Sequence, residues 1–282
     1  MQPDFLLPDT TIAFVDNVPV LCHSFYKTEK WHVNQNEYLV QYDGVGSFYA
    51  RNGNYVEVAE VPGADADWVR LYLNGQVLVA LLHQRKIINF HASSFVYNGL
   101  GVMVLGETGA GKSSLTLAFA LRNGGFLTDD ITPVIFRKSV PCIMPLNRKV
   151  KIRKDTAEKL GINSSLLNDA ERGTGKLYFR PETAHEAAHP LHLIIRVAAD
   201  KTKRIEFSKP PSAERFSLLR SEVCSWEILA GMPGTEKAYL EQLVRIVEKT
   251  AFIRADRPPE TELNDFYEAV REEIASHGLK LH

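Results

Sequence analysis

The octapeptide Gly106-Glu107-Thr108-Gly109-Ala110-Gly111-Lys112-Ser113 reads G-x-x-x-x-G-K-[ST], and it restricts the fold of this chain more tightly than any other stretch. Such a loop works only where a strand delivers the chain into it and a helix carries the chain away. Its glycines let consecutive backbone N–H groups converge on phosphate oxygens, Lys112 adds a point charge between the terminal phosphates, and Ser113 offers a hydroxyl to Mg²⁺. Both flanks suit that role. Leu100 to Leu105 is a short apolar run fit for a buried strand, and residues 112–123 contain no Pro or Gly, are rich in Leu and Ala, and stop at Gly124-Gly125. Ser114 continues the hydroxyl-bearing end of the motif. A nucleoside triphosphate is the implied ligand.

Composition narrows what else the chain can be. At 282 residues and 45% hydrophobic content it is a globular protein with one large core or two modest ones. Its 33 basic and 34 acidic side chains give a formal charge of -1, so nothing steers it globally toward nucleic acid or an anionic membrane. Cys22, Cys142 and Cys224 are odd in number and form no C-x-x-C pair, which suits packed, reduced thiols and no zinc site. The N-terminus lacks the basic and apolar segments of a signal peptide, and no run reaches the ~20 apolar residues of a membrane span. A cytoplasmic location is expected, in which the sequon Asn163-Ser164-Ser165 has no meaning.

Between residues 10 and 60 the chain reads as short strands, Thr11 to Val15, Val18 to Leu21, Tyr38 to Tyr42 and Tyr55 to Val58, with turns at Asp43-Gly44 and Asn52-Gly53-Asn54. Asp65 is placed to cap a helix running to about Gln84, with Trp68, Leu71, Tyr72, Val79 and Leu82 facing a core. Lys86 to Tyr97 then reads as a strand, Asn98-Gly99 as a two-residue hairpin turn, and Leu100 to Leu105 as the return strand. The strand that enters the loop thus has an antiparallel neighbour immediately before it, which predicts a mixed sheet rather than a purely parallel one. Two domains follow: a β-rich region with one helix over 1–85, and a nucleotide-binding domain over 86–282.

Beyond the loop helix, Phe126-Leu127-Thr128 starts a strand that ends at Asp129-Asp130, and Ile131 to Phe136 continues extended. Lys149 to Gly161 holds a short helix, residues 163–190 read as an irregular loop or lid, and Leu191 to Val197 is a buried strand. A helical tail occupies about 211–282; in it Tyr239, Leu240, Leu243, Val244 and Val247 form an apolar stripe, Pro258-Pro259 is a break, and a last helix spans about Glu262 to Ser276.

Phosphoryl transfer needs a metal-side carboxylate and a group that takes the proton of the attacking hydroxyl. Asp129 is the expected general base and Asp130 the metal-side carboxylate beside Ser113, although at a strand end one carboxylate or both could reach the site. Pairing about Asn98-Gly99 sets His91 opposite residue 106, beside the terminal phosphate; a buried structural histidine is the competing reading. Arg148, Lys149, Lys176, Arg180 and Arg196 are candidates for a further phosphate clamp, with Lys176 and Arg180 the favoured pair.

His91-Ala92-Ser93, the hairpin, the loop through Ser114 and the following Gly125 to Asp130 together resemble the catalytic domain of HPr kinase/phosphorylase, a family within the fold group of phosphoenolpyruvate carboxykinases. The resemblance is specific over about residues 86–136. It implies an α/β mixed-sheet P-loop fold, ATP and Mg²⁺ as cofactors, His91 at the phosphate site, Asp129 as base on a serine hydroxyl and Ser113 on Mg²⁺. The family's downstream Glu-x-Arg-Gly-x-Gly stretch is matched only in part by Glu171-Arg172-Gly173-Thr174-Gly175-Lys176, at a longer distance, so the kinase half of the activity is implied and the phosphorylase half is not. The N-terminal region is not recognisably the family's, so HPr itself need not be the substrate, and the resemblance to shortened relatives of this kind implies serine in another protein or a precursor peptide. Members of the family form oligomers, so a homo-oligomer is open. A small-molecule kinase and a non-catalytic nucleotide-binding regulator are the alternatives.

Overall fold

The computed structural model describes residues 7, 9–147, 149–169, 175–200 and 202–276. It is a mixed α/β protein in two compact units, Met1–Asn89 with Val223–Gln242, and Phe90–Glu222 with Leu243–His282.

The first unit carries a six-stranded sheet in the order Thr11–Phe14, Tyr55–Glu60, Gly46–Arg51, Glu37–Tyr42, Trp31–Val33, Tyr26–Lys27. All neighbours are antiparallel except the first pair. The turn expected at Asn52-Gly53 forms, with both residues at positive φ (53° and 72°), the region their side chains tolerate. Val18 to Leu21 is not a strand: Pro19 has no amide hydrogen to donate and Val20 is 79% exposed. The Asp65 carboxylate accepts from the Asp67 N–H at 2.9 Å and caps the helix Ala66–Tyr72. That helix reaches Gln84 only through a π-helical turn, Leu73–Val77, followed by Leu78–Gln84. The widened turn rotates the inward face, so Val69, Leu73, Val77 and Leu81 are buried while Trp68 lies 45% exposed.

In the second unit the strands run Gly125–Thr128, Ser93–Tyr97, Leu100–Leu105, His189–Ala199, with Ala251–Arg257 on the far side of the last and Glu206–Ser208 beyond it. Leu100–Leu105, His189–Ala199 and Ala251–Arg257 are mutually parallel, whereas Ser93–Tyr97 is antiparallel to Leu100–Leu105, so the sheet is mixed as expected. The hairpin register pairs Ser93 with Val104 and Tyr97 with Leu100, about Asn98 and Gly99 at φ 49° and 78°. Val102, Val104, Leu193, Ile195 and Ile253 of these strands pack with Leu115 and Phe119 of the loop helix Lys112–Leu121 and with Phe266 and Val270 of Leu263–Ser276. Phe119 stacks on Phe95 with ring centroids 4.4 Å apart.

Several expectations are corrected. The stretch from Lys86 to Tyr97 breaks at His91-Ala92 into Ile88–Phe90 and Ser93–Tyr97. Residues 163–190 are not simply irregular: Lys176–Phe179 pairs antiparallel with Val150–Arg153 and with Asn168–Asp169 in a three-stranded sheet. The tail is not wholly helical, because Ala251–Arg257 is an interior parallel strand whose Arg254 and Asp256 pair with each other at 2.8 Å. In the helix Pro233–Lys249 the buried stripe is Thr235, Tyr239, Leu243 and Ile246, whereas Leu240 and Val244 are exposed; the spacing of the fully buried residues follows 3.6 more closely. Arg148 and Glu171 to Thr174 lie outside the described residues.

Candidate functional site

The carboxyl ends of the parallel strands are where an open α/β sheet places its ligands, and here the loop leaves Leu105 at that end. Gly106 sits at φ +141°, and a β-carbon there would lie 2.3 Å from the Val197 carbonyl oxygen, so the chain cannot turn at this point with any other residue. Gly111, at φ +102°, opens the helix. Lys112 is buried to 8% exposure and its Nζ donates to the carbonyl oxygens of Gly106 at 2.6 Å and Glu107 at 3.3 Å. Burial pulls its ammonium below the ordinary lysine value, against the charges of Glu222, Asp129 and Asp130.

The Ser113 hydroxyl donates to Asp129 Oδ1 at 2.8 Å, and the Lys151 backbone N–H donates to Asp129 Oδ2 at 3.0 Å. Asp129 is 2% exposed; burial and the neighbouring Asp130 charge push its carboxyl above the usual range. Asp130 then adopts φ +72° while the Ile131 N–H closes back on the Asp129 carbonyl at 2.9 Å, a three-residue turn of the strained kind. This turn breaks strand alternation and lets both adjacent carboxylates reach one place, which settles the alternative left open by strand geometry.

Asp130 Oδ2 lies 3.0 Å from Lys151 Nζ, and Oδ1 lies 3.6 Å from His91 Nδ1. Burial raises the Asp130 carboxyl, but the charge and hydrogen bond of Lys151, with His91 and Lys176, more than offset it and hold it below the ordinary value. Burial, with Lys112, keeps His91 below its usual value against the pull of Asp130. That direction favours the neutral imidazole.

His91, Glu107, Thr108, Gly109, Gly111, Lys112, Ser113, Ser114, Asp129 and Asp130 line one cavity of about 470 Å³. Gly106 and Ala110 stand behind it as framework. Of the clamp candidates, Lys176 lines the cavity; Arg180, Lys149 and Arg196 do not. Three contributors carry no motif. Lys151, on the strand Val150–Arg153, clamps both aspartates. Arg257 donates through Nη2 to the Ala110 carbonyl at 3.1 Å and lines the cavity wall nearest Pro259 and Phe266. Glu222 accepts the His91 backbone N–H at 2.7 Å on its carbonyl. Only Arg257 leaves a trace in the sequence, as the last residue before Pro258-Pro259.

Among the described residues no three His, Cys, Asp or Glu side chains form a closed metal cage. Magnesium needs no such cage, since it keeps waters and takes one or two carboxylates besides phosphate oxygens. The residues present fit it: Ser113 has a lone pair left after donating to Asp129, and Asp130, whose carboxyl is held below the ordinary value, would offer an ionised oxygen to the cation.

No protein-family model matches the chain. Over 96 residues it is 33% identical to the HPr kinase/phosphorylase of Azoarcus sp. (strain BH72), a match covering 34% of this chain and 28% of that relative. The chain therefore spans little more than a quarter of that relative's length, and within that span it is HPr-kinase-like. The Hpr(Ser) kinase/phosphatase from Coxiella burnetii aligns with 67% of this chain and 97% of its own at 14% identity and a TM-score of 0.37, too low a likeness to bear on the site.

Proposed function

We propose that this protein is an ATP- and Mg²⁺-dependent kinase that transfers the γ-phosphoryl group to a hydroxyl, a serine of a protein or peptide. The observation that carries the reading is the junction of Ser113, Asp129 and Lys112 in one cavity, with a buried carboxylate raised above its usual pKa one hydrogen bond from the loop hydroxyl.

In this reading the backbone N–H groups of 107–113 hold the phosphates and Lys112 exchanges its carbonyl partners for phosphate oxygens. Ser113 and Asp130 hold Mg²⁺, which neutralises phosphate charge when bound. Asp129 takes the proton of the attacking hydroxyl onto a carboxylate oxygen; its raised pKa makes it a stronger base than an exposed aspartate. His91, neutral, donates a hydrogen bond toward the transferring group. The bond from the γ-phosphorus to the bridging oxygen breaks, the bond to the acceptor oxygen forms, and ADP leaves.

The test uses Asp129→Asn, with labelled ATP offered to peptides, free amino acids and sugars. Transfer should fall by about 10²–10⁴-fold while nucleotide affinity is kept. Label in a small molecule instead of peptide reassigns the acceptor. Nucleotide binding with no label anywhere favours a regulator, and unchanged transfer removes Asp129 from the chemistry.

A further inference from the structure

The cavity has two unlike linings. Around Lys112 and Ser113 its wall is charged, with His91, Asp129, Asp130, Lys151 and Lys176. Its apolar lining residues are Ile152, Pro259, Leu263 and Phe266, and three of these follow Arg257 within one short stretch of chain. That stretch is held in shape by Thr261, whose hydroxyl and N–H both donate to the Pro258 carbonyl, at 2.7 Å and 3.1 Å. An ion pair of 2.8 Å between Lys159 Nζ and Glu262 Oε2 ties it to the helix Lys154–Lys159, which lines the same cavity with Asp155 and Thr156.

Arg257 heads this wall, and its partners fix its plane. Nη2 donates to the Ala110 carbonyl at 3.1 Å, and Nη1 donates to the carbonyls of Pro258 at 3.2 Å and Pro259 at 3.3 Å. Nε is buried and has no hydrogen-bond partner among the described residues. The N–H bonds of a guanidinium lie in its plane, so the three carbonyls take up its edge. Phe266 lies on one face, with the guanidinium carbon 5.3 Å from the ring centre. A phosphate would compete with main-chain carbonyls for the N–H groups of Arg257. A flat ring laid on the opposite face would not.

We propose that the face of Arg257 turned away from Phe266 is the stacking platform for the base of the nucleotide, which rests against Pro259 and Leu263 while the loop holds the phosphates. A guanidinium stacks on aromatic rings through its flat, delocalised cation, and a nucleobase offers such a ring. The donor is then recognised by its base as well as its phosphates. Inorganic tripolyphosphate, which carries the phosphates alone, is a poor substitute. The inference deepens the kinase reading and rests on its nucleotide half; transfer to an acceptor plays no part in it.

Isothermal titration calorimetry on the full chain compares Mg²⁺-ATP with Mg²⁺-tripolyphosphate. The parent should bind ATP about 10-fold tighter or more, the range expected for one base stacked on a side chain. Arg257→Leu should lose most of that margin and keep its affinity for tripolyphosphate within about 2-fold. Arg257→Lys, which retains the charge and removes the plane, should lose as much as the leucine variant. Full ATP affinity in the lysine variant, or an equal loss of both ligands in either variant, overturns the platform. So does equal affinity of the parent for the two ligands, a comparison that needs no substitution and stands even where a variant disturbs the loop. A parent that binds neither ligand refutes the nucleotide reading from which the proposal starts, an outcome distinct from binding both alike.

Discussion

The polar clusters about His83 in the first unit and His91 in the second are built to opposite ends. In the first unit His83 is fully buried, with Nδ1 2.9 Å from the Tyr239 hydroxyl, which Asn89 Nδ2 also approaches at 3.3 Å. Burial drives this imidazole down to about 4. The cluster joins a helix, a strand and a distant helix. In the second unit His91 is 44% exposed at its side chain and shares a cavity with a lysine and two aspartates. Both histidines are shifted in the same direction by the same leading cause. A depressed histidine pKa therefore does not mark a working site; shared open space and unlike charges facing it do.

Breaking the second cluster should cost activity, and breaking the first should cost stability. The largest effect is that of Asp129→Asn, already expected to lower transfer by about 10²–10⁴-fold. Because the folded state raises this carboxyl, its contribution to stability falls as pH rises through the folded pKa. The same variant should therefore be more stable than the parent at neutral pH, by urea midpoint. The acid limb of the transfer rate should also sit above the ordinary aspartate range and vanish with the residual activity.

The next effect belongs to His83. Burial holds its folded pKa below the ordinary histidine value, at about 4, so the unfolded chain takes up the proton first and stability is lost as pH falls through that window. Full protonation of the difference is on the order of 3 kcal/mol. Urea unfolding at stepped pH should show this slope in the parent and a flatter one in His83→Gln.

Tyr239→Phe removes the hydroxyl that joins His83, Asn89 and the Ile87 carbonyl. It should lower stability by about 1–3 kcal/mol through unsatisfied buried groups and leave transfer unchanged. A proportional loss of transfer would erase the distinction between the two clusters.

The smallest effect sharpens the comparison. Asp130 is the leading group holding the His91 pKa up, so Asp130→Asn should let it fall further, measured by NMR titration of the imidazole. No movement would mean that His91 and Asp130 do not sense each other in solution.

How much of this was legible in the sequence follows from what acts locally. The loop, the Asn98-Gly99 hairpin and the Asp129-Asp130 strand end depend on glycines and neighbours within a few residues, so their residues declare them. The pairing rule about Asn98-Gly99 gave the register from Ser93–Val104 to Tyr97–Leu100, but the ladder stops there and His91 lies outside it, its N–H bonded to the Glu222 carbonyl. Lys151 is different: its place beside both aspartates depends on the strand Val150–Arg153, whose partner Lys176–Phe179 comes after a long intervening segment. The strand Ala251–Arg257 was hidden for another reason, since Arg254 and Asp256 look like a solvated face until they are seen to neutralise each other. The stripe in Pro233–Lys249 was misjudged by its aliphatic residues, because the polar Thr235 belongs to the buried line and the apolar Leu240 and Val244 do not.

The tight reversal at residue 130 has an implication for which replacements the protein can survive. A positive φ there admits glycine freely and asparagine or aspartate at modest strain, and it rejects branched side chains outright. A saturation library screened first for folding and then for turnover should accordingly pass through two nested filters, the outer one conformational and the inner one electrostatic. Aspartate is the residue that satisfies both, so variation at this position is confined by backbone shape before chemistry is ever consulted.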